Sequence, residues 1–132
     1  ESMLRRLNIT RVLRVVAATR CGGDPAMPGI APIAAAQKLL GARQIAPEMV
    51  AVAEIMEAFA SQAIACAEGV GVTESSLNRG GGGLARGHPI GASGAILAVR
   101  LWHEMQREAP GALGLAAIAA AGGLGSALLV TR

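Results

Sequence analysis

Between Asn78 and Gly94 the chain reads Asn-Arg-Gly-Gly-Gly-Gly-Leu-Ala-Arg-Gly-His-Pro-Ile-Gly-Ala-Ser-Gly, seven glycines in seventeen residues. A helix or strand interior does not carry that density, because each glycine loses the most backbone freedom on ordering. The stretch is therefore a loop, and its Cβ-free backbone suits tight turns and close approach to another group. An apolar pattern resumes at Ile90, runs to about residue 107 and stops at Pro110-Gly111, so the loop opens a helix with free N–H groups in its first turn. Two uses fit: close packing, or a cradle for a phosphate. The cradle lacks the Lys-Ser/Thr ending of a P-loop, and the spacing of Gly87, Gly91 and Gly94 is not GxGxxG. His88 stands between Gly87 and Pro89 at the helix mouth, either held structurally by a backbone carbonyl or doing chemistry.

The flanking segments supply a layered domain. Residues 12–19 read as a strand ended by Gly22-Gly23-Asp24-Pro25. A helix follows over 32–40, Pro first and Gly41 last. Residues 49–55 form an apolar run interrupted only by Glu54, a buried strand. Residues 57–68 form a helix apolar nearly all round, hence buried. Residues 113–120 and 127–131 are strands joined by the glycine turn of 121–126, too short a link for anything but antiparallel pairing. The order is that of a single α/β domain over 1–132 with a mixed sheet.

Composition removes several function classes. Hydrophobic residues are 52% of the chain and mean hydropathy is +0.47, which excludes disorder. The net charge of +3 is spread over dispersed arginines, a solvated surface and not a polyanion groove. One Trp, one Phe and no Tyr leave no stacking platform, so no nucleic-acid partner is expected. Cys21 and Cys66 lie far apart without CxxC spacing, and two histidines do not complete a metal site. They read as reduced thiols of a cytoplasmic protein. The uncharged stretch 111–130 is long enough to span a bilayer, but Gly122-Gly123 and Gly125 break it into two strands. Residues 2–20, Arg-rich and free of acids, have the composition of a presequence but end as a strand would. No membrane association is expected.

The residues of 78–94 resemble, position for position, the C-terminal signature of the thiolase family. Three further landmarks fall in family order. Gly23-Asp-Pro25 with Met27-Pro-Gly-Ile-Ala-Pro32 is similar to GxDPxxMGxGP, Met56-Glu-Ala-Phe-Ala60 to NEAFA, and Ala119-Ala-Ala-Gly-Gly-Leu-Gly125 to CxGGGxG. The resemblance covers nearly the whole chain. It implies the C-terminal half of a five-layer αβαβα body, with a mixed five-stranded sheet between helical layers. It also implies Claisen condensation or thiolysis of acyl-CoA thioesters through an acyl-cysteine. That cysteine belongs to an N-terminal half, in the same or a separate chain, and neither Cys21 nor Cys66 occupies a family catalytic position. His88 is implied as the group that activates the thiol and polarises the thioester oxygen. Ala58 and Phe59 match residues facing the pantetheine arm, and the backbone N–H of Ala121 stands at a second oxyanion hole.

Ala121 stands where the motif has its first Gly, and two family catalytic positions are substituted. Met56 replaces an Asn that holds an oxyanion-hole water, and a thioether donates no hydrogen bond. Ala119 replaces the Cys that serves as second acid/base. The expectation is the C-terminal half of an acyltransferase of lipid metabolism, inactive as an isolated chain. Coenzyme A thioesters are its substrates and no cofactor is permanently bound; the complete protein is expected to be a homo-oligomer. The alternative is a non-catalytic subunit that binds acyl-CoA or stabilises a partner. An anion- or nucleotide-binding module is a third reading, from the glycine loop alone.

Overall fold

A computed structural model describes residues 1–132. In chain order the elements are α1 (Ser2–Arg6), β1 (Arg14–Gly22), α2 (Ala31–Ala42), β2 (Val50–Ile55), α3 (Ala60–Val70), α4 (Gly83–Arg86), α5 (Ile90–Met105), β3 (Leu113–Ala120) and β4 (Leu124–Thr131). The strands form one mixed sheet in the order β1-β4-β3-β2. β2 and β3 run parallel, joined by the long crossover that carries α3, the glycine loop and α5, and the other pairs are antiparallel. The sheet thus has four strands where five were expected. Beyond β2 only the bridge Ala53–Leu77 forms, because the chain then turns away at Asn78, whose φ is +41°.

Side chains alternate across the sheet, and each face has its own core. Ala53, Ile55, Leu115, Ala117, Ala127 and Leu129 meet Ala35, Ala36, Leu39 and Leu40 of α2 and Cys66 and Val70 of α3. On the other face Val52, Ala116 and Val130 meet Leu97, Leu101 and Met105 of α5. A Cβ on Gly114 would lie 2.7 Å from Met105 Sδ and 2.9 Å from Leu101 Cδ1, so the bare backbone of β3 lets α5 settle this close. Because α5 lies mainly over β2 and β3, an open trough of about 410 Å³ remains between it and the β1–β4 side of the sheet. Ile90, Ile96 and Val99 of α5 are exposed. No helix is long and apolar enough to cross a membrane.

Three boundaries differ from the sequence reading for local reasons. β1 starts at Arg14, so much of the Arg-rich stretch is sheet edge, and α1 is a one-turn surface helix with nothing buried. α3 begins at Ala60 and not Glu57, because Phe59 is extended and Gln62 Oε1 accepts the Ala58 N–H at 2.9 Å. That bond reaches back across the helix start, as a third-position Gln does in a capping box. β4 begins at Leu124, since Gly122 and Gly123, at φ +80° and +78°, complete the reversal in fewer residues.

Candidate active site

Four segments converge at one end of the sheet. The end of β2 delivers residues 56–59, and the β3–β4 reversal delivers 119–121. The glycine loop delivers His88, and the turn before α2 delivers 26–30. Together they line one cleft of about 520 Å³. Met56, Ala58, Phe59, His88, Ala119 and Ala121 all contribute to its wall, so every site position singled out from the sequence is brought together. Met56 is buried, its N–H donating to Ala117 O at 2.9 Å, whereas Phe59 is 70% exposed at the rim. Ala121 lies outside the left-handed region and its N–H bonds to nothing in the chain, which leaves a donor free beside the cleft. Neither Cys21 nor Cys66 lines it. Cys66 is buried behind Gln62, and burial pushes its thiol above the usual range.

His88 is placed by its neighbours. Gly87, at φ +91°, turns the chain sharply into Pro89, and α5 begins at Ile90. The His88 ring accordingly sits at the helix mouth, with Nδ1 2.7 Å from the hydroxyl of buried Ser93 and Nε2 unbonded. A structural backbone carbonyl, one of the two options for this histidine, is not its partner.

The loop that carries His88 is tied down by residues the sequence reading assigned no role. Asn78, buried at its start, acts as a one-residue surrogate strand. Its N–H donates to Ala53 O at 2.8 Å, its Oδ1 accepts from Ile55 N–H at 2.9 Å, and its Nδ2 donates to Ile55 O at 3.0 Å. Nδ2 also reaches Glu57 Oε1 at 2.6 Å, while Glu57 Oε2 accepts the N–H of Leu84 in α4 at 3.0 Å. A Cβ at Gly82 would overlap the Glu57 carboxylate, and one at Gly80 the Arg100 guanidinium. The glycine run is therefore a seat for charged side chains and not an empty phosphate cradle. On the opposite wall Gln62 Nε2 donates to Gly29 O at 3.0 Å, locking residues 26–30 to α3.

A second, smaller cavity of about 120 Å³ adjoins the cleft, sharing His88 and Met56 with it. Glu54, Glu57, Arg86, Ser93 and Arg100 line it. Glu54 is fully buried and burial pushes its carboxyl up to about 7, against the pull of Arg100 and Arg86. No group of three or more His, Cys, Asp or Glu side chains is placed to share a metal ion.

The family model for the thiolase C-terminal domain matches residues 9–132. The chain belongs to the thiolase family, as its C-terminal domain. This thiolase domain is 39% identical over 129 residues to the provisionally named acetyl-CoA C-acetyltransferase YhfS of Bacillus subtilis (strain 168), covering 98% of this chain and 35% of that protein. It is 42% identical over 111 residues to the Staphylococcus aureus (strain MRSA252) protein VraB, likewise provisionally named, covering 84% and 28%. Human mitochondrial 3-ketoacyl-CoA thiolase superposes with a TM-score of 0.91 at 30% identity, over 100% of this chain and 33% of that one. The Acat5 thiolase of Ascaris suum, solved in complex with coenzyme A, gives 0.89 at 31%, over 99% and 34%. The thiolase domain thus spans about a third of the length of the relatives it matches.

Proposed function

We propose that residues 1–132 form the C-terminal half of an acyltransferase that acts on acyl-CoA thioesters through a cysteine in an N-terminal half, with His88 as the base for that thiol. The observation that carries this reading is the convergence of His88, Ala121 and the 56–59 segment on one cleft, open beside an uncovered sheet face. Held at Nδ1 by Ser93, the imidazole offers Nε2 to a thiol approaching from that side. Nε2 takes the thiol proton, the thiolate sulfur attacks the thioester carbonyl, and coenzyme A leaves as thiolate and recovers the proton from Nε2. The free N–H of Ala121 is suited to stabilise the oxyanion formed on the way, while Ala58 and Phe59 offer an apolar wall for the pantetheine arm.

Met56 and Ala119 modify this chemistry. Neither side chain donates a hydrogen bond or takes a proton, so the cleft lacks the group that would draw an α-proton from an acetyl donor. Acyl transfer to the cysteine survives that loss; condensation of two acetyl groups does not. The same two residues favour the second reading, a non-catalytic subunit that binds acyl-CoA. The two free cysteines suit a reducing, cytoplasmic compartment, and the complete protein is proposed as a homo-oligomer of acyl-lipid metabolism.

Intact-mass detection of acyl-cysteine, on this chain assembled with its N-terminal half, separates the two readings. His88→Ala is expected to fold and to acylate at least about a hundredfold more slowly at matched acetyl-CoA, as loss of an oxyanion-type donor does. Equal rates would remove His88 as the base, and acyl-cysteine in neither protein would leave the binding subunit as the better reading.

A further inference from the structure

The small cavity shared by His88 and Met56, about 120 Å³, has room for several waters. Charged and polar side chains dominate its lining, whereas hydrophobic ones dominate that of the cleft. Glu54 on that wall is fully buried, and neither of its carboxylate oxygens has a partner in the protein. A buried carboxyl without a partner is unusual enough to require a reason. It interrupts an otherwise apolar strand, and the acyl-transfer chemistry above makes no use of it. Arg100 also leaves its Nε unpartnered there, although its Nη2 bonds Glu104 at 2.8 Å. Cavity water is the remaining candidate to satisfy these groups.

Ser93 connects this space to the imidazole. For Nε2 to accept a proton, Nδ1 must carry the other hydrogen and donate it to Ser93 Oγ, 2.7 Å away. The hydroxyl hydrogen of Ser93 is then free to point into the cavity, which Ser93 and Glu54 both line. We propose that Glu54 is a positioning residue acting through His88, the far end of a proton relay that runs from Nδ1 through Ser93 and cavity water. The inference rests on His88 serving as base for a thiol.

The protons balance without any redox change. As Nε2 takes the thiol proton, the Nδ1 proton passes to Ser93 Oγ, the Ser93 hydroxyl proton to a water, and a water proton to the Glu54 carboxylate. One proton enters at Nε2 and one arrives at Glu54. The ring stays neutral with its hydrogen on Nε2, where it donates to the thioester oxygen. When coenzyme A leaves and takes the Nε2 proton, the relay runs backward and Glu54 returns to carboxylate. The charged groups around Glu54 are Arg100 and Glu104 from α5, Arg86 from α4 and Glu57 after β2, and β3 contributes none. Opposing charges and burial together set the Glu54 carboxyl near neutrality, where it exchanges a proton readily in both directions.

The test uses this chain assembled with its N-terminal half and follows single-turnover acylation by acetyl-CoA across the pH range. In the wild type the rate should rise as pH passes about 7, where Glu54 becomes carboxylate. Glu54→Gln should acylate at least about tenfold more slowly, with the half-saturating acetyl-CoA concentration unchanged and that limb of the profile gone. Ser93→Ala should lose the same limb, and Glu54→Asp should recover part of it. An unchanged rate and profile in Glu54→Gln, beside a slow His88→Ala, would overturn the relay and leave the role of His88 standing. A slower Glu54→Gln that keeps the wild-type profile, or an unaffected Ser93→Ala, would also overturn it. Wild-type acylation in His88→Ala would instead overturn the reading on which the relay rests.

Discussion

Replacing Asn78 by Ala tests the idea that one side chain fastens the glycine loop to the sheet. The substitution removes hydrogen bonds to the N–H and C=O of Ile55, a residue 1% exposed, and a third to Glu57. Each buried backbone group left without a partner costs about 1–3 kcal/mol. An alanine held at φ +41° adds about 1 kcal/mol. The sum, about 3–7 kcal/mol, is a large share of the stability of an ordinary domain, and corresponds to a fall in Tm of about 10–25 °C. Asn78→Gly loses the same side-chain bonds but not the backbone preference, so it should recover about 1 kcal/mol of the deficit. Urea and thermal unfolding of wild type and both variants give the three numbers. An Asn78→Ala protein within about 1 kcal/mol of wild type would refute the surrogate-strand reasoning. Equal stability of the Ala and Gly variants would refute the backbone part alone.

Three further outcomes follow from the site and the open face. The 132-residue chain alone should cleave no acetoacetyl-CoA and should aggregate more readily than the assembled protein, because Ile90, Ile96, Val99 and the open trough are exposed; coupled thiolysis assays and light scattering check both. Met56→Asn with Ala119→Cys, in the assembled protein, should raise condensation from acetyl-CoA above the wild-type level, measured as acetoacetyl-CoA formed; a folded double variant with no gain would place the divergence elsewhere. Burial pushes the Glu54 carboxyl from its ordinary 4.5 up to about 7 in the folded chain, so between those pH values the native state holds a proton that the unfolded chain has released. Stability should therefore fall by about 3 kcal/mol as pH rises through that window and stay lower above it, whereas the Glu54→Gln variant should lose that slope in urea titrations at stepped pH.

The periodic segments were legible in the sequence, since strands and helices announce themselves by where apolar residues recur. The convergence of Met56, Ala58, Phe59, His88, Ala119 and Ala121 was legible only through the thiolase resemblance, because no local pattern says that residues 33 and 65 positions apart meet in one cleft. Asn78, Glu57, Gln62 and Glu54 had no role in that reading. Asn78 opens the glycine motif and Glu57 stands inside the Met-Glu-Ala-Phe segment, so both were in view. Their function depends on bonds spanning 21 to 27 residues, which spacing does not reveal. Glu54 did leave a signal: it is the single charge in β2. A lone charge in a buried strand must be neutralised, bonded or hydrated, so such an interruption is itself a reason to look for a cavity beside it.

The two spaces that meet at His88 divide its chemistry. The larger cleft, with its mostly apolar wall, strengthens a polar contact to a thioester oxygen once bound acyl-CoA displaces water from it. Met56 places a buried thioether on that wall, where a side-chain amide would hold a water. The smaller cavity brings two arginines, two glutamates and a serine to its lining. A substitution that wets the first or dries the second should alter different steps. Met56→Asn should act on stabilisation of the thioester oxyanion and leave the pH limb near 7 in place. Filling the small cavity, as with Ser93→Val, should remove that limb and leave the affinity for acyl-CoA as it is. Met56 and His88 line both spaces, so a change at either residue reaches both.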